Sequence, residues 1–130
     1  MLIVHRKNVV EKEDRARQYA VVSGEKIIGY LAYRIDPETD SVYNFGLYSF
    51  DKGNPVLGKD VFEHLEMLVN IYHRLEWRMI GCNPVKRHYD DFCLIRHNGN
   101  RVRLRDVCKD FNGNYCDEYI YEIINSSIGG

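Results

Sequence analysis

The sequence predicts an α+β domain in which a mixed, mainly antiparallel central sheet is flanked by helices in α/β/α-type layers. Three observations favour this fold class. Segments near the N-terminus alternate apolar and polar residues, as strands do, and a middle segment repeats apolar residues at helical spacing. Turns rich in Gly, Pro, Asn and Asp separate these segments. The 130 residues suffice for one domain, residues 1–130, with a buried core.

The composition argues against several classes of function. Hydrophobic residues make up 45% of the chain and the net charge is −1, so neither disorder nor a global field for nucleic acid is expected. With no apolar leader and no long apolar run, we expect a cytoplasmic protein without membrane contact. The cysteines lack the C-x-x-C spacing of zinc sites, so we expect no metal. We interpret all four as small apolar core residues: Cys82, Cys93, Cys108 and Cys116.

The first part of the chain predicts an antiparallel meander. A short apolar run, Leu2–Val4, is followed by a polar connection. Gly46, in the last strand of the meander, indicates a bulge or a close approach to the backbone. The three strands, joined by short turns, are Tyr19–Val22, Ile27–Ile35 and Ser41–Phe50.

The loop Asp51–Gly58 leads into a predicted helix, Lys59–His73, which carries an apolar stripe. Backbone N–H groups at a helix N-terminus lack intrahelical partners and lie at the positive end of the dipole. The loop therefore predicts a site for a phosphate-bearing ligand. A plain strand-to-helix connection is the alternative.

The second part of the chain alternates strands and helices. Asn83 is a favourable N-cap with Pro84 at the first helical position. Four arginines, Arg96, Arg101, Arg103 and Arg105, form a local basic cluster that is weak evidence for nucleic-acid binding. The predicted elements are a strand Glu76–Cys82, a helix Pro84–Cys93, and strands Arg101–Val107 and Tyr119–Ile124.

This order of elements resembles the GNAT superfamily of acyl-coenzyme-A-dependent N-acyltransferases from Gln18 to Ile124. In that family a loop of the pattern Gln or Arg, two residues, Gly, one residue, Gly or Ala holds the coenzyme A pyrophosphate with its amides. Gly58 matches the second glycine, while Val56 and Gly53 replace the first glycine and the Gln or Arg. The resemblance implies acetyl-coenzyme A as co-substrate, with contacts from Gly53, Asn54, Val56, Gly58 and Lys59.

A second matching segment, Cys82–Phe92, resembles the family's Asn-x-x-Ala-x-x-Leu-Tyr-x-x-x-Gly-Phe. The resemblance implies that Asn83 contacts the pantetheine arm and that Tyr89 protonates the departing thiolate. Helix capping by Asn83 and a half-buried aromatic role for Tyr89 are the alternatives. The edge of the third strand, from Leu47 to Ser49, would pair with the pantetheine amides.

The implied function is N-acetyl transfer to a small-molecule or protein amine by direct attack. Ser41–Phe50 contains no carboxylate, which leaves Asp51, Glu76 and His88 as weak candidates for the base. The short segment before the meander implies an open acceptor site, a site completed in a homodimer, or a truncated binding module. A non-catalytic acyl-coenzyme-A-binding or protein-interaction domain is the alternative function, and a small nucleic-acid-binding domain is a third.

Overall fold

The computed structural model describes residues 2–5, 15–49 and 55–128, of which residues 2–5, 49, 55 and 56 are described by their backbone. One sheet contains seven strands in the order β1-β2-β3-β4-β5-β7-β6. The strands are β1 Leu2–His5, β2 Ala16–Ser23, β3 Lys26–Asp36, β4 Ser41–Ser49, β5 Arg74–Ile80, β6 Asn100–Lys109 and β7 Tyr115–Ile124. The helices are α1 Pro55–Ile71 and α2 Lys86–Asp90, which continues as a π-helical segment, Asp91–Arg96.

The sheet is mixed and mainly antiparallel, as predicted. Strands β1 to β4 form an antiparallel meander, and the pairs β5–β7 and β6–β7 are also antiparallel. Strands β4 and β5 are parallel, because α1 carries the chain back across the sheet between them. Most strands extend a few residues beyond their predicted ends, most clearly β7, which begins at Tyr115 rather than Tyr119.

Helix α1 begins four residues before the predicted start at Lys59. Pro55 occupies its first position, where a missing N–H costs nothing and the fixed φ angle favours a helix. Gly58 therefore lies inside the first turn and not in the preceding loop. The predicted apolar stripe is confirmed by the burial of Val61, Leu65, Leu68 and Val69.

The second predicted helix, Pro84–Cys93, is wrong at both ends. A turn comes first, in which the Lys86 N–H donates to the Asn83 carbonyl at 3.0 Å, so α2 begins only at Lys86. Beyond Asp90 the chain widens into the π-helical segment instead of ending at Cys93. The Gly99 N–H donates to the Cys93 carbonyl at 2.7 Å after this segment and turns the chain toward β6.

The described helices lie on the same face of the sheet. Phe62 of α1 contacts Tyr89 of α2, with ring centroids 4.9 Å apart, and Tyr89 contacts Trp77 of β5. Trp77 stacks on Tyr121 of β7 at 5.0 Å with nearly parallel rings. The main core therefore lies between this face and the two helices. No described helix combines the length and apolar character needed to cross a membrane.

The prediction that all four cysteines fill the core is wrong for two of them. Cys93 and Cys116 are buried, but Cys82 is exposed and Cys108 is only partly buried. Cys82 lies in the turn that follows β5 and Cys108 lies near the end of the edge strand β6, where less of the protein covers a side chain.

Candidate active site

Strands β4 and β5 separate in the middle of the sheet. Their parallel register includes Val42 opposite Leu75 and ends with Phe45 opposite Trp77. Beyond that pair, β4 continues beside β3 as far as Ser49, and β5 continues beside β7 as far as Ile80. One edge of β4, from Gly46 to Ser49, therefore has no partner strand among the described residues.

A bulge in β4 precedes the separation. Two residues of β4, Tyr43 and Asn44, occupy the interval that Glu76 alone spans in β5. Asn44 has a φ of +55°, a conformation that Asn tolerates better than most residues. The bulge re-aims the strand as it approaches the gap. Gly46, for which the sequence indicated a bulge or a close approach to the backbone, pairs with Ala32 next to a shift in the β3–β4 register, and a Cβ there would meet nothing within 4 Å.

The predicted cofactor residues of β4 lie on this free edge. Leu47 is half-buried and packs against the core, so its side chain lies on the helical face of the sheet. Ser49 is the last residue of β4, and its backbone pairs with Gly29 of β3. These backbones are thus positioned along one side of the gap, where an extended ligand could pair with them.

The N-terminus of α1 contains the predicted phosphate residues that the structure describes. Val56 and Gly58 lie in the first turn, which contains no acidic residue to offset the positive end of the helix dipole. A Cβ placed at Gly58 would meet no heavy atom within 4 Å outside its own helical turn, so the space directly beside this backbone is open. Lys59 is exposed and lies 4.0 Å from Glu63. Gly53 and Asn54 lie outside the described residues.

Asn83 follows β5 on the other side of the gap. Its side-chain oxygen accepts a hydrogen bond from the Val85 N–H at 3.1 Å, so it caps the turn that precedes α2. Asn83 is exposed, and its side-chain nitrogen makes no hydrogen bond to the described residues. Capping and ligand contact are therefore compatible at this position.

Tyr89 is the predicted acid and lies beside the last β4–β5 pair. Its ring contacts Trp77 and Phe62, with centroids 6.2 and 4.9 Å away, and 5% of the residue is exposed. Burial raises the pKa of Tyr89 to about 12, so the hydroxyl stays protonated at neutral pH. Within the described part of the chain, this hydroxyl makes no hydrogen bond.

Asp90, which the sequence did not single out, anchors α2 to the sheet. Its carboxylate accepts from Lys86 at 2.6 Å and from Arg101 at 3.0 Å, and it also accepts from the Tyr121 hydroxyl. Partial burial raises the pKa of Asp90, but these hydrogen bonds outweigh it and the net pKa is lowered. Asp90 fixes the orientation of the segment that contains Tyr89.

Two of the three weak candidates for the base, Glu76 and His88, are among the described residues, and they lie on different elements. Glu76 lies on β5 next to Trp77 and faces away from the helices, with its carboxylate accepting from Arg74 at 2.9 Å. His88 is exposed on α2, and Asp51 lies outside the described residues. Glu76 immediately precedes the last residue of β5 that pairs with β4, so it lies at the border of the gap.

The arginine cluster is largely neutralised. Arg101 pairs with Asp90, Arg96 lies 3.3 Å from Glu66, and Arg103 lies 2.6 Å from Asp117. These pairs leave little of the positive surface that nucleic-acid binding requires. Among the described residues, no group of His, Cys, Asp and Glu side chains could hold a metal ion.

A cavity of about 270 Å³ lies elsewhere in the sheet, across β2, β3 and β4. It does not include the gap edge after Gly46, the start of α1 or Tyr89. Its lining consists of Ala16, Arg17, Gln18, Ala32, Tyr33, Arg34 and Asn44.

No protein-family model and no curated protein gives a significant match to the sequence. Solved structures do match. A probable GNAT-family acetyltransferase from Chromobacterium violaceum is similar at a TM-score of 0.62 and 19% identity, over 86% of this chain and 60% of that chain. A spermidine/spermine N-acetyltransferase from Vibrio cholerae is similar at a TM-score of 0.66 and 18% identity, over 87% and 67%.

A ribosomal L7/L12 α-N-protein acetyltransferase in complex with coenzyme A is similar at a TM-score of 0.63 and 16% identity, over 85% of this chain and 62% of that chain. This chain thus spans roughly three fifths to two thirds of the length of these structures. At such low sequence identity, structural similarity shows a shared fold and does not show a shared reaction. The described elements, together with these comparisons, establish that the chain has the fold of GNAT-family acetyltransferases.

Proposed function

We propose that this protein is an N-acetyltransferase that moves an acetyl group from acetyl-coenzyme A to an amine by direct attack. The observation that carries the proposal is the separation of β4 and β5 beyond Phe45 and Trp77. Among the described residues, the edge of β4 from Gly46 to Ser49 is left without a partner strand. It lies near the buried Tyr89, which is on the same face of the sheet as α1. A plain structural domain would gain stability by pairing that edge.

The residues present fit acetyl-coenzyme A as a co-substrate. The edge from Gly46 to Ser49 offers backbone donors and acceptors to the pantetheine amides, and Asn83 offers its free side-chain nitrogen from the other side. The first turn of α1, with open space beside Gly58, offers N–H groups to the pyrophosphate. The family pattern assigns the same role to Gly53 and Asn54, which lie outside the described residues. Lys59 adds a positive charge nearby. The similarity to an acetyltransferase in complex with coenzyme A supports this choice of ligand.

Tyr89 acts as the general acid that protonates the departing thiolate. A raised pKa keeps the hydroxyl protonated at neutral pH, and burial excludes competing water. Backbone N–H groups of the free β4 edge polarise the thioester carbonyl, as donors of an oxyanion hole do. Glu76 lies at the border of the gap, and its side chain is on the face of the sheet opposite the helices. It assists removal of the amine proton, directly or through water.

The acceptor is a small-molecule or protein amine that approaches from the face opposite the helices. On that face the gap is bordered by Tyr48, which is 76% exposed, and by the exposed Arg78. The two similar acetyltransferases named for their substrates act on a polyamine and on a ribosomal protein. Both substrates are amines, which supports the general class without selecting one member of it.

A second candidate is a non-catalytic acyl-coenzyme-A-binding or protein-interaction domain. One observation favours it: Tyr89 is 5% exposed and packs in an aromatic cluster with Phe62, Trp77 and Phe92. A tyrosine kept only for packing would have the same surroundings. In that case the protein would bind the thioester but release no thiol.

The test is calorimetric titration with acetyl-coenzyme A, followed by measurement of thiol release with a panel of polyamines and N-terminal peptides. Binding and amine-dependent thiol release are expected for the transferase. Binding without release by any amine would support the second candidate. An absence of binding at millimolar acetyl-coenzyme A would contradict the transferase and the acyl-coenzyme-A-binding domain, and would leave only the protein-interaction domain.

A further inference from the structure

Three of the four cysteines lie side by side at one end of the sheet. In the β6–β7 pair, Cys108 is the register partner of Cys116. Cα atoms of such antiparallel neighbours are about 4.5 to 5.5 Å apart, which is within the range that a disulfide spans. Cys116 therefore has one cysteine beside it in β6.

Another cysteine lies on the other side of β7. The β5–β7 register ends with Ile80 opposite Glu118, and the Gly81 N–H then donates to the Asp117 carbonyl at 2.7 Å. This hydrogen bond continues the pairing beyond the end of β5. The next residue along the chain, Cys82, is thereby brought opposite Cys116.

Cys82 and Cys116 are therefore neighbours across the end of the β5–β7 pairing. The nearby Cys82 thiol, together with desolvation, raises the pKa of Cys116 to about 12. Cys82 is exposed, whereas Cys116 is 6% exposed and Cys108 is partly buried. One thiol of the row is thus open to solvent, and its neighbour lies beneath it.

We propose that Cys82 and Cys116 form a thiol pair that converts reversibly to a disulfide by exchange with a low-molecular-weight disulfide. The Cys82 thiolate attacks one sulfur of that disulfide, forms a mixed disulfide and releases one thiol. Cys116 then gives up its proton, attacks the Cys82 sulfur and expels the second thiol. Two protein thiols are oxidised and one external disulfide is reduced to two thiols.

The order of these steps follows from access. A thiolate must reach the external disulfide, and Cys82 is the only exposed cysteine among the described residues. Cys116 has too little exposure and too little thiolate to react first, but it needs to reach only the adjacent sulfur. The bond would fasten the turn that contains Asn83 to β7, and the inference does not depend on acyl transfer.

The test uses the full chain, reduced and folded, treated with oxidised glutathione and then mapped by mass spectrometry without reduction. We expect a Cys82–Cys116 linked peptide that disappears with dithiothreitol. Cys93, which is fully buried, is the internal control and should remain a free thiol. A map in which Cys82 stays free, retains glutathione, or is linked to another cysteine would overturn the proposal.

Variants separate the roles of the three thiols. Cys116→Ser should accumulate glutathione on Cys82, because the second step is blocked, and Cys82→Ser should slow loss of the Cys116 thiol by about tenfold or more. Cys108→Ser is the matched control and should leave the linked peptide unchanged. If Cys108→Ser abolishes that peptide, the pairing proposed here is wrong. The wild-type map decides the question even if the buried Cys116→Ser variant fails to fold.

Discussion

Phe45 and Trp77 are the last residues of β4 and β5 that face each other in parallel register. Trp77 also contacts Tyr89 and stacks on Tyr121, so the point of separation is fixed by aromatic packing on the helical face of the sheet. The indole N–H of Trp77 is buried and has no hydrogen-bond partner within the described part of the protein. The point at which β4 and β5 separate is thus part of the aromatic core.

Tyr89→Phe tests the acid. The variant should lower kcat by roughly 100-fold, because one general acid is lost, while the affinity for acetyl-coenzyme A stays the same. Stability should change little, since the Tyr89 hydroxyl makes no hydrogen bond to the described residues. Steady-state thiol release and calorimetry provide the two measurements.

The matched control for that variant is Tyr115→Phe, because Tyr115 is 63% exposed on β7 and far from α2 in the chain. It should keep full activity. An unchanged kcat in Tyr89→Phe would remove Tyr89 from the mechanism and favour the non-catalytic candidate.

Gly58→Val tests the N-terminus of α1 as the phosphate site. A Cβ at this position would meet no heavy atom within 4 Å outside its own helical turn, so we expect the fold to accept valine, whose side chain would fill the space that a pyrophosphate needs. We expect the Kd for coenzyme A to rise about tenfold or more, equivalent to about 1.4 kcal/mol, with a small change in Tm.

Gly58→Ala is the graded control for this position and should weaken binding less than Gly58→Val. Affinity for pantetheine, which lacks the pyrophosphate, should be the same in both variants. Parallel losses of binding and stability would instead support a plain strand-to-helix connection.

Much of the fold could be predicted from sequence because its signals are local. The period-two pattern from Gln18 to Phe50 and the apolar stripe of α1 each report which face of one element is buried. The separation of β4 and β5 has no such signal, because it depends on a bulge at Asn44 and on aromatic packing between distant elements.

Contacts between residues that are far apart in the chain could not be predicted from the sequence either. Asp90 and Tyr121 are 31 positions apart, as are Glu66 and His97, whose carboxylate and imidazole lie within hydrogen-bonding distance. The helical position of Glu66, off the apolar stripe of α1, indicates only an outward face and gives no sign of its partners His97 and Arg96. Strand β6 was predicted correctly, but its sequence did not show that the strand lies at the sheet edge, where Val102 is 55% exposed and Leu104 is 37% exposed.

Gly99→Ala tests the turn that leads from the π-helical segment into β6. A Cβ at Gly99 would lie 2.4 Å from the Glu122 carbonyl oxygen and 2.8 Å from the Cys93 sulfur, so the backbone must shift. The variant should lose about 1 to 3 kcal/mol of unfolding free energy in a denaturant titration. Gly46→Ala is the control, since a Cβ there meets nothing within 4 Å. Equal stability of the two variants would show that the turn at Gly99 relaxes freely.

Asp90→Asn tests the anchor of α2 and its dependence on pH. At neutral pH the variant should be less stable by about 1 to 3 kcal/mol, because Lys86 and Arg101 lose a charged acceptor. The pKa of Asp90 is lower in the folded protein than its ordinary value of 3.8, so the unfolded chain binds the proton first as the pH falls. The stabilisation is therefore complete above the ordinary pKa and is lost as the pH falls through and below it.

Denaturant titrations at a series of pH values should show the difference between wild type and Asp90→Asn constant near neutrality and shrinking in acid. Asp91→Asn is the matched control, because the neighbouring Asp91 is exposed and forms no ion pair with the described residues. A difference that stays constant down to pH values below the ordinary aspartate pKa would mean that the effect of Asp90→Asn is one of packing. The charged hydrogen bonds to Lys86 and Arg101 would then contribute nothing to holding α2 against the sheet.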